Sequence, residues 1–362
     1  MPVTLDSLAA LPDLRFDAIL DVRSPAEFAE DHVPGAQNLP ALSNAERARV
    51  GTIYTQESPF KARKIGAALV ARNVARHLEG PLAGYDGAWQ PLVYCWRGGQ
   101  RSGSVATILG AIGWRVDTLA GGYQSYRRLV ADQMHNAPLA HRLVLLDGNT
   151  GTAKTALLHR LAALRVQVLD LEGLAAHRGS VFGADPERPQ PAQKAFESAV
   201  AGALTQLDPA KPVVVEAESA RIGGVLVPPS LWAAMRAAPR IRVTASAEAR
   251  AAYLTRAYRD IVADLSQLRM TLNRLVSFHA RADIDVWRAM AEAGAHRDLA
   301  YALITAHYDP RYAKWRRKQG QADLAVIDLG DLSDAALEHG ARALASAVNI
   351  HHGTIMAPEP SI

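Results

Sequence analysis

Leu92-Val93-Tyr94-Cys95-Trp96-Arg97-Gly98-Gly99-Gln100-Arg101-Ser102 is the stretch that decides how the first part of this chain folds, and it holds the only cysteine among 362 residues. The apolar run before Cys95 predicts a buried strand, and the pattern from Ser104 to Leu109 predicts a helix. A loop between a strand and a helix N-terminus lets several backbone N–H groups converge on one point, where an anion is favoured. We therefore predict a reactive Cys95 thiolate rather than an inert buried thiol.

The loop after this cysteine has the composition of an anion-binding loop. Glycine permits tight backbone geometry, and arginine adds positive charge. The predicted catalytic residue is Cys95, and the predicted anion-loop residues are Arg97, Gly98, Gly99 and Arg101.

The composition is that of an ordinary globular protein with two domains. The chain is 49% hydrophobic and 21% charged, and its mean hydropathy is −0.04. Its length exceeds what one core usually serves. The sequence contains no apolar run of membrane-spanning length and no signal-peptide pattern, and one cysteine cannot form an internal disulfide. We expect a cytoplasmic protein with no membrane association.

Motifs on both sides of Cys95 indicate the fold of the N-terminal domain. They are Asp21-Val22-Arg23-Ser24-Pro25, the stretch from His32 to Pro40, and Gly121-Gly122-Tyr123. Together with Cys95, they resemble a rhodanese domain over residues 1–135. The resemblance implies an α/β fold around a parallel sheet, with Cys95 as a persulfide-carrying nucleophile. We expect Asp21 and Arg23 to hold loops together as an ion pair rather than to perform chemistry.

A helical insertion precedes the cysteine stretch. Helical patterns run from Ala45 to Val50 and from Phe60 to Leu78, and both carry basic side chains. These side chains form either a solvated surface or the approach to Cys95, and the sequence leaves both interpretations open. The basic residues are Arg47, Arg49, Lys61, Arg63, Lys64, Arg72 and Arg76.

A second domain is predicted after a linker at residues 136–141. The strand pattern from Leu143 to Leu146 leads into Asp147-Gly148-Asn149-Thr150-Gly151-Thr152-Ala153-Lys154-Thr155 and then a helix. A P-loop has this order: a strand, a glycine-rich loop, and a Lys-Thr pair at the start of a helix. The predicted diphosphate-binding residues are Gly148, Gly151, Lys154 and Thr155, with Thr155 binding a phosphate or a Mg²⁺ ion.

One position departs from the usual P-loop pattern. Ala153 stands where a glycine normally precedes the lysine, and its Cβ crowds the loop. Ordinary nucleoside triphosphate binding is therefore disfavoured, whereas a loop that only holds a diphosphate tolerates this alanine.

The rest of this domain, residues 142–350, alternates strands and helices as an open α/β sheet does. Strands are predicted at 166–171, 213–215, 241–245 and 324–329, and helices at 193–207, 230–237 and 332–348. Polar residues at and beyond the carboxyl ends of the strands form a predicted second-domain site. They are Asp170, Glu172, His177, Arg178, Ser180, Glu216 and Glu218.

A helical region over about 247–320 carries an excess of positive charge. It contains 13 Lys or Arg against 8 Asp or Glu, whereas the whole chain has a net charge of +4. Basic residues beside an aromatic side chain suit phosphate contact with base stacking. The residues predicted to contact a nucleic acid are Trp315, Arg316, Arg317 and Lys318, and a disordered tail is predicted at 351–362.

The order of these motifs resembles the bacterial tRNA 2-selenouridine synthase family over nearly the whole chain. The resemblance rests on the Cys95 stretch, His177-Arg178-Gly179-Ser180, the residues from Glu216 to Gly223, and Tyr308-Asp309-Pro310. It implies a substrate, the wobble 2-thiouridine of tRNA, and two reactions. The sulfur is first S-geranylated with geranyl diphosphate, and selenium from selenophosphate, accepted by Cys95, then replaces geranylthiol. We also expect a monomer with no tightly bound cofactor.

Two other classes of function remain open from the residues alone. A rhodanese-type sulfurtransferase with an accessory ATP-binding domain predicts ATP turnover without tRNA. A non-enzymatic RNA-binding module predicts that Cys95 is dispensable.

Overall fold

The computed structural model describes residues 2–180, 182–183, 188–319 and 323–356, without the side chains of residues 260, 315, 317–319 and 353–356. Within these residues, no helix is both long enough and apolar enough to cross a membrane.

The secondary structure alternates between strands and helices in both halves of the chain. The elements up to residue 137 are β1 (Ala18–Asp21), α1 (Pro25–Glu30), β2 (Ala36–Asn38), α2 (Asn44–Gln56), α3 (Pro59–Glu79), β3 (Pro91–Tyr94), α4 (Gln100–Ile112), β4 (Asp117–Thr118) and α5 (Gly122–Ala131). The later elements are β5 (Leu143–Gly148), α6 (Lys154–Ala163), β6 (Gln167–Leu169), α7 (Leu171–Leu174), α8 (Gln193–Thr205), β7 (Val213–Glu216), β8 (Arg221–Ile222), β9 (Val225–Leu226), α9 (Pro229–Ala237), β10 (Arg240–Thr244), α10 (Ala247–Ala257), α11 (Arg259–Ala263), α12 (Leu265–Asn273), α13 (Arg281–Glu292), α14 (His296–Leu303), α15 (Asp309–Gln319), β11 (Asp323–Asp328) and α16 (Asp334–Met356).

The chain divides into two compact units. Unit 1 contains residues 1–137 and 191–206, and unit 2 contains residues 138–190 and 207–362. The first boundary lies inside the predicted linker at 136–141. The second domain is predicted as one continuous range, 142–350, whereas residues 191–206 of that range belong to unit 1.

Unit 1 is built on a parallel sheet with the strand order β2-β1-β3-β4. Strand β3 is buried along its whole length, which explains the apolar run before Cys95. At the end of β1, the predicted ion pair is confirmed, because Arg23 Nη2 lies 2.6 Å from Asp21 Oδ2 and both side chains are buried. A buried pair of this kind holds the strand end and the following loop together.

The helical insertion of unit 1 is an α2–α3 hairpin. Ser43 caps α2, and Glu46 at the third helical position completes a capping box. Ser58 caps α3, and Pro59 occupies its first turn, where a missing N–H costs nothing. These local signals fix where each helix begins.

Helix α8 returns to unit 1 from the second half of the sequence. The Ser198 hydroxyl donates to the buried carboxylate of Asp31 at 2.8 Å, and Arg127 forms an ion pair with Glu197. Phe196 and Val200 are fully buried. The amphipathic pattern predicts the helix correctly but does not indicate what it packs against, so the predicted domain boundary misses this segment.

Unit 2 is built on a parallel sheet with the order β11-β10-β5-β7-β6. Each predicted strand of this domain coincides with an observed strand within one or two residues. The strand that leads into the phosphate loop, β5, is buried in the centre between β10 and β7. Central strands place their carboxyl ends at the edge where ligands bind open α/β sheets.

Helices α10 to α15 form the helical region, most of which has its own apolar core. Leu272, Leu275 and Ile284 are completely buried there, and Trp287 is nearly so. Helix α16 extends to Met356, six residues into the range predicted as a disordered tail, and residues 357–362 lie outside the described part.

Candidate functional site

Cys95 lies at the carboxyl end of β3, directly before the loop that opens α4. The Gly99 N–H donates to Cys95 Sγ at 3.3 Å, and the Ser102 hydroxyl oxygen lies 3.2 Å from the same sulfur. The loop therefore directs hydrogen-bond donors at the sulfur.

These contacts change the acidity of the thiol. Burial alone would raise the pKa of Cys95, but hydrogen bonds from Ser102 and from the backbone of residues 97, 99 and 102 outweigh it and lower that pKa below the ordinary thiol value. The hydrogen bonds thus stabilise the thiolate form of Cys95 relative to that of a free cysteine.

The Gly121-Gly122-Tyr123 motif holds the cysteine loop in place. The Tyr123 N–H donates to the Cys95 carbonyl at 2.8 Å, and the next residue binds the Trp96 carbonyl. A Cβ added to Gly122 would lie 2.3 Å from that Cys95 carbonyl and 2.5 Å from the Gly98 nitrogen. Only glycine allows this close approach of two backbone segments.

The open pocket around Cys95 has a volume of about 510 Å³. Arg101 in its wall donates to Glu27 at 2.8 Å, so part of its charge is neutralised. Although burial acts in the opposite direction, Arg101 and hydrogen bonds from Ser24 lower the pKa of Glu27 to about 2. The lining residues are Glu27, Glu30, Arg47, Cys95, Trp96, Arg97, Gly99, Gln100 and Arg101.

The phosphate loop joins β5 to α6 in unit 2. A Cβ on Gly148 would lie 2.4 Å from Thr152 Oγ1, and Gly151 has a φ of +87°. Both positions therefore require glycine, as the P-loop prediction implies. Ala153 adopts a left-handed conformation, with a φ of 58°, immediately before α6. A left-handed alanine costs about 1–2 kcal/mol, so the loop is formed with strain where glycine would carry none.

The Lys154 ammonium folds back over this loop and donates to the Gly148 carbonyl at 3.0 Å. Burial would lower its pKa, but Tyr312, Glu218, Glu172 and Asp147 raise it above the ordinary lysine value. The surrounding groups therefore favour the charged form of Lys154.

A network of hydrogen bonds fixes the loop to the helical region. Arg250 forms an ion pair with Asp309, with Nη2 2.7 Å from Oδ2, and also donates to the Thr150 carbonyl at 3.2 Å. The Asn149 amide donates to Asp309 Oδ1 at 2.7 Å. The Tyr308-Asp309-Pro310 motif thus supports the phosphate loop from the start of α15.

A polar pocket of about 350 Å³ opens above the phosphate loop. It brings together six of the seven residues predicted for the second-domain site: Asp170, Glu172, His177, Arg178, Ser180 and Glu218. The seventh, Glu216, is fully buried and does not line the pocket; its Oε2 accepts the Leu171 N–H at 3.1 Å. Sequence reasoning missed His159, which lies on α6 itself, and it missed four lining residues that come from distant helices or loops, namely Arg188, Tyr253, Tyr258 and Tyr312.

Carboxyl groups inside this pocket have altered acidity. Burial and the nearby charge of Glu172 raise the pKa of Glu218 to about 8, against the opposing effect of Lys154. Burial also raises the pKa of Glu216 well above its ordinary value, with further contributions from Asp170 and Glu172. A raised pKa favours the neutral form of Glu218, which reduces repulsion of an incoming anion.

An apolar pocket adjoins the polar one, and the two share Thr150, Ser180, Leu254 and Tyr258 in their walls. Its remaining wall is almost entirely hydrocarbon. These residues are Phe182, Thr255, Ile261, Val262, Leu268, His296, Leu299, Ala300, Leu303 and Tyr308. A ligand with an anionic head and an apolar tail would fit the two pockets together.

Of the predicted tRNA contacts on α15, Arg316 has a partner within the protein. Its Nε donates at 2.9 Å to Asp147, a buried residue of β5. The structural role of Arg316 arises because α15 packs next to the phosphate loop. The side chains of Trp315, Arg317 and Lys318 lie outside the described residues, so their contact with tRNA stays a prediction.

The fold and the two sites define a protein that joins a rhodanese-type thiol centre to a P-loop phosphate centre. In agreement, the rhodanese-like domain family matches residues 4–129, and the family described as the tRNA 2-selenouridine synthase AAA domain matches residues 141–283.

Known relatives cover most of the chain. The tRNA 2-selenouridine synthase of Alcanivorax borkumensis is 32% identical over 81% of this chain and 88% of its own length. The Cupriavidus pinatubonensis protein of the same name is 32% identical over 90% of this chain and 95% of its own length. The Pseudomonas syringae protein is 33% identical over 82% of this chain and 88% of its own length. The chain belongs to the tRNA 2-selenouridine synthase family.

The geometry around Cys95 predicts a pH profile for its reactivity. Ser102→Ala removes a hydrogen bond to the thiolate, so the midpoint of the pH dependence of Cys95 alkylation should move upward, and labelling near neutral pH should slow several-fold. Alkylation rates followed by intact-protein mass spectrometry between pH 5 and 10 would measure this. Ser104→Ala, on the same helix, should leave the midpoint unchanged; equal profiles for the two variants would contradict the assignment of Ser102.

Proposed function

We propose that this protein converts the wobble 2-thiouridine of tRNA to 2-selenouridine in two reactions, one at the phosphate loop and one at Cys95. The observation that carries the proposal is that one chain holds a stabilised thiolate and, separately, a phosphate loop whose pocket continues into an apolar pocket. The names of the relatives support tRNA and selenium as the chemistry involved.

In the first reaction, the sulfur of 2-thiouridine is alkylated by geranyl diphosphate. The sulfur forms a bond to C1 of the geranyl group, the C1–O bond breaks with its electron pair, and diphosphate leaves. The N3 proton of the base is released. Because the charge on the leaving group grows as the bond breaks, donors placed around the diphosphate lower the barrier.

The residues of unit 2 suit this reaction. Lys154 and the loop N–H groups would bind the diphosphate at the start of α6, where a helix N-terminus favours an anion. The adjoining apolar pocket would hold the geranyl chain, with Leu254 and Tyr258 at the junction. An apolar wall at this position favours a hydrocarbon chain over the ribose and base of a nucleotide.

A magnesium ion is compatible with the same loop. The Thr155 hydroxyl donates to Glu172 at 2.8 Å, and hydroxyl and carboxylate oxygens are the ligands that Mg²⁺ prefers. Among the described residues, no group of three or more His, Cys, Asp or Glu could hold a metal. Thr155 and Glu172 would hold the ion with diphosphate oxygens and water, and the ion would neutralise the leaving group. We propose no tightly bound cofactor.

In the second reaction, selenium from selenophosphate replaces the geranylthio group. A C2–Se bond forms, the C2–S bond breaks and geranylthiol leaves, while water takes the phosphoryl group as phosphate and N3 regains a proton. Cys95 is the residue that we assign to handling selenium, because its thiolate is stabilised at the end of an anion-favouring loop. Arg97 lines the same pocket, where it would face the phosphoryl oxygens.

The proposal is tested by mass spectrometry of wobble nucleosides. The full chain would be incubated with 2-thiouridine tRNA and geranyl diphosphate, with and without selenophosphate. We expect S-geranyl-2-thiouridine without selenophosphate and 2-selenouridine with it. Unchanged 2-thiouridine in both samples, together with ATP hydrolysis by the protein, would instead favour a sulfurtransferase with an accessory ATP-binding domain.

The Cys95→Ser variant should separate the two reactions. Alkylation needs no protein nucleophile because the thiouridine sulfur is itself nucleophilic, so the variant should accumulate geranylated tRNA and form no 2-selenouridine. The wobble nucleosides would be quantified over time, with Ala111→Ser as the control, because Ala111 is exposed on the same helix and lines neither the Cys95 pocket nor any other described pocket. Formation of 2-selenouridine at the wild-type rate would rule out the role of Cys95.

The Lys154→Ala variant should show the opposite pattern. Loss of one preorganised donor to the leaving diphosphate is expected to slow geranylation by about 10²–10³-fold. Chemically pre-geranylated tRNA should bypass the defect and be converted to 2-selenouridine at the wild-type rate. If the bypass fails while the thermal melting curve is unchanged, Lys154 acts in something other than geranylation.

A further inference from the structure

A groove on unit 1 lies beside the cysteine pocket and is not used by the chemistry described above. It runs between α2, α3 and α4 and has a volume of about 490 Å³. Gln100 and Arg101 line both the groove and the Cys95 pocket, so the two are continuous. The residues lining the groove are Leu42, Val50, Tyr54, Ala62, Arg63, Gly66, Ala67, Val70, Gln100, Arg101, Gly103, Ser104 and Thr107.

The elements around the groove are positively charged. Residues 44–79, which span α2 and α3, contain seven Lys or Arg and three Glu, an excess equal to the net charge of +4 of the entire chain. Arg63 lies in the groove wall. Arg47 lines the adjoining Cys95 pocket; its Nε lies 3.0 Å from Glu27 Oε2, and its side chain is still 53% exposed. A polyanion following this surface would meet basic side chains up to the pocket of the reactive thiol.

Exposed aromatic rings accompany the positive charge. Tyr54 lines the groove and is 53% exposed, and Phe60, in the first turn of α3, is 73% exposed. Small residues keep the groove open: Ala67 is exposed, and a Cβ added to Gly103 would meet nothing within 4 Å. Flat exposed rings beside cations are the usual combination for binding unpaired bases of a nucleic acid.

We propose that this groove binds a single-stranded RNA loop. The nucleotide adjacent to the bound part of the loop would then enter the Cys95 pocket. The inference rests on the proposed function, in which the substrate of Cys95 is a base in the anticodon loop of tRNA. The loop backbone would contact Arg63 and Arg47, and an unpaired base would stack on Tyr54. Charge complementarity distinguishes RNA from an apolar peptide, because phosphates pair with arginine.

Neighbouring alanines on α3 provide a matched test. Ala67 lines the groove and Ala68 does not, yet both are exposed on the same helix. Ala67→Glu places a carboxylate four residues after Arg63, and Ala68→Glu places one four residues after Lys64, so the two variants have the same net charge and a similar helical pairing.

Binding of a fluorescent anticodon stem-loop containing 2-thiouridine would be measured by anisotropy with the full chain. We expect Ala67→Glu to bind about tenfold more weakly than Ala68→Glu, and Ala67→Lys to bind at least as tightly as the wild type. The slope of log K against log[salt] should become less steep by about one unit for Arg63→Ala. It should not change for Arg72→Ala, because Arg72 does not line the groove.

The single cysteine gives a second measurement that reports only on this surface. RNA bound in the groove should slow alkylation of Cys95 by a bulky maleimide in the wild type and in Ala68→Glu, but not in Ala67→Glu. Equal affinity and equal protection in the two glutamate variants would overturn the proposal. The result is independent of turnover: a protein that binds and protects as expected but forms no modified nucleoside would contradict the proposed function and leave the groove assignment standing.

Discussion

The ion pair between Arg250 and Asp309 is the interaction on which the phosphate centre depends. Arg250 is buried on α10, Asp309 begins α15, and both also hold the phosphate loop, through Thr150 and Asn149, respectively. The same helical region supplies the apolar pocket. The Asp309 carboxylate therefore holds the phosphate loop next to the apolar pocket. Loss of this carboxylate would leave the buried Arg250 without its ion-pair partner, which is strongly destabilising.

Both centres carry positive charge that is partly compensated. Arg101 beside the cysteine loop is paired with Glu27, and Lys154 beside the phosphate loop lies among acidic side chains. Binding the ground state of an anion tightly does not accelerate a reaction, and it slows release of the product. Backbone N–H groups and a few balanced cations suit the proposed function, in which each centre binds and releases a diphosphate or a phosphate in every turnover.

Local patterns were sufficient to predict the strands, the phosphate loop and the cysteine loop, because each is formed by residues close in sequence. Partners far apart in sequence were not predictable: α8 packs in unit 1, Asn149 binds Asp309 at 2.7 Å across 160 residues, and Arg316 binds Asp147. A basic residue looks the same in sequence whether it faces a phosphate or a buried carboxylate. Arg316 was assigned to tRNA for that reason, and only the packing of α15 shows its partner.

The central claim is that two chemically separate centres on one chain act in sequence on one base. Mixing the Cys95→Ser and Lys154→Ala variants tests it most directly, with wobble nucleosides measured after adding 2-thiouridine tRNA, geranyl diphosphate and selenophosphate. If the centres are separate, the first variant alkylates the tRNA, the second completes the exchange, and the mixture forms 2-selenouridine that neither variant forms alone at an appreciable rate. A mixture that forms no more 2-selenouridine than its two components would contradict the account.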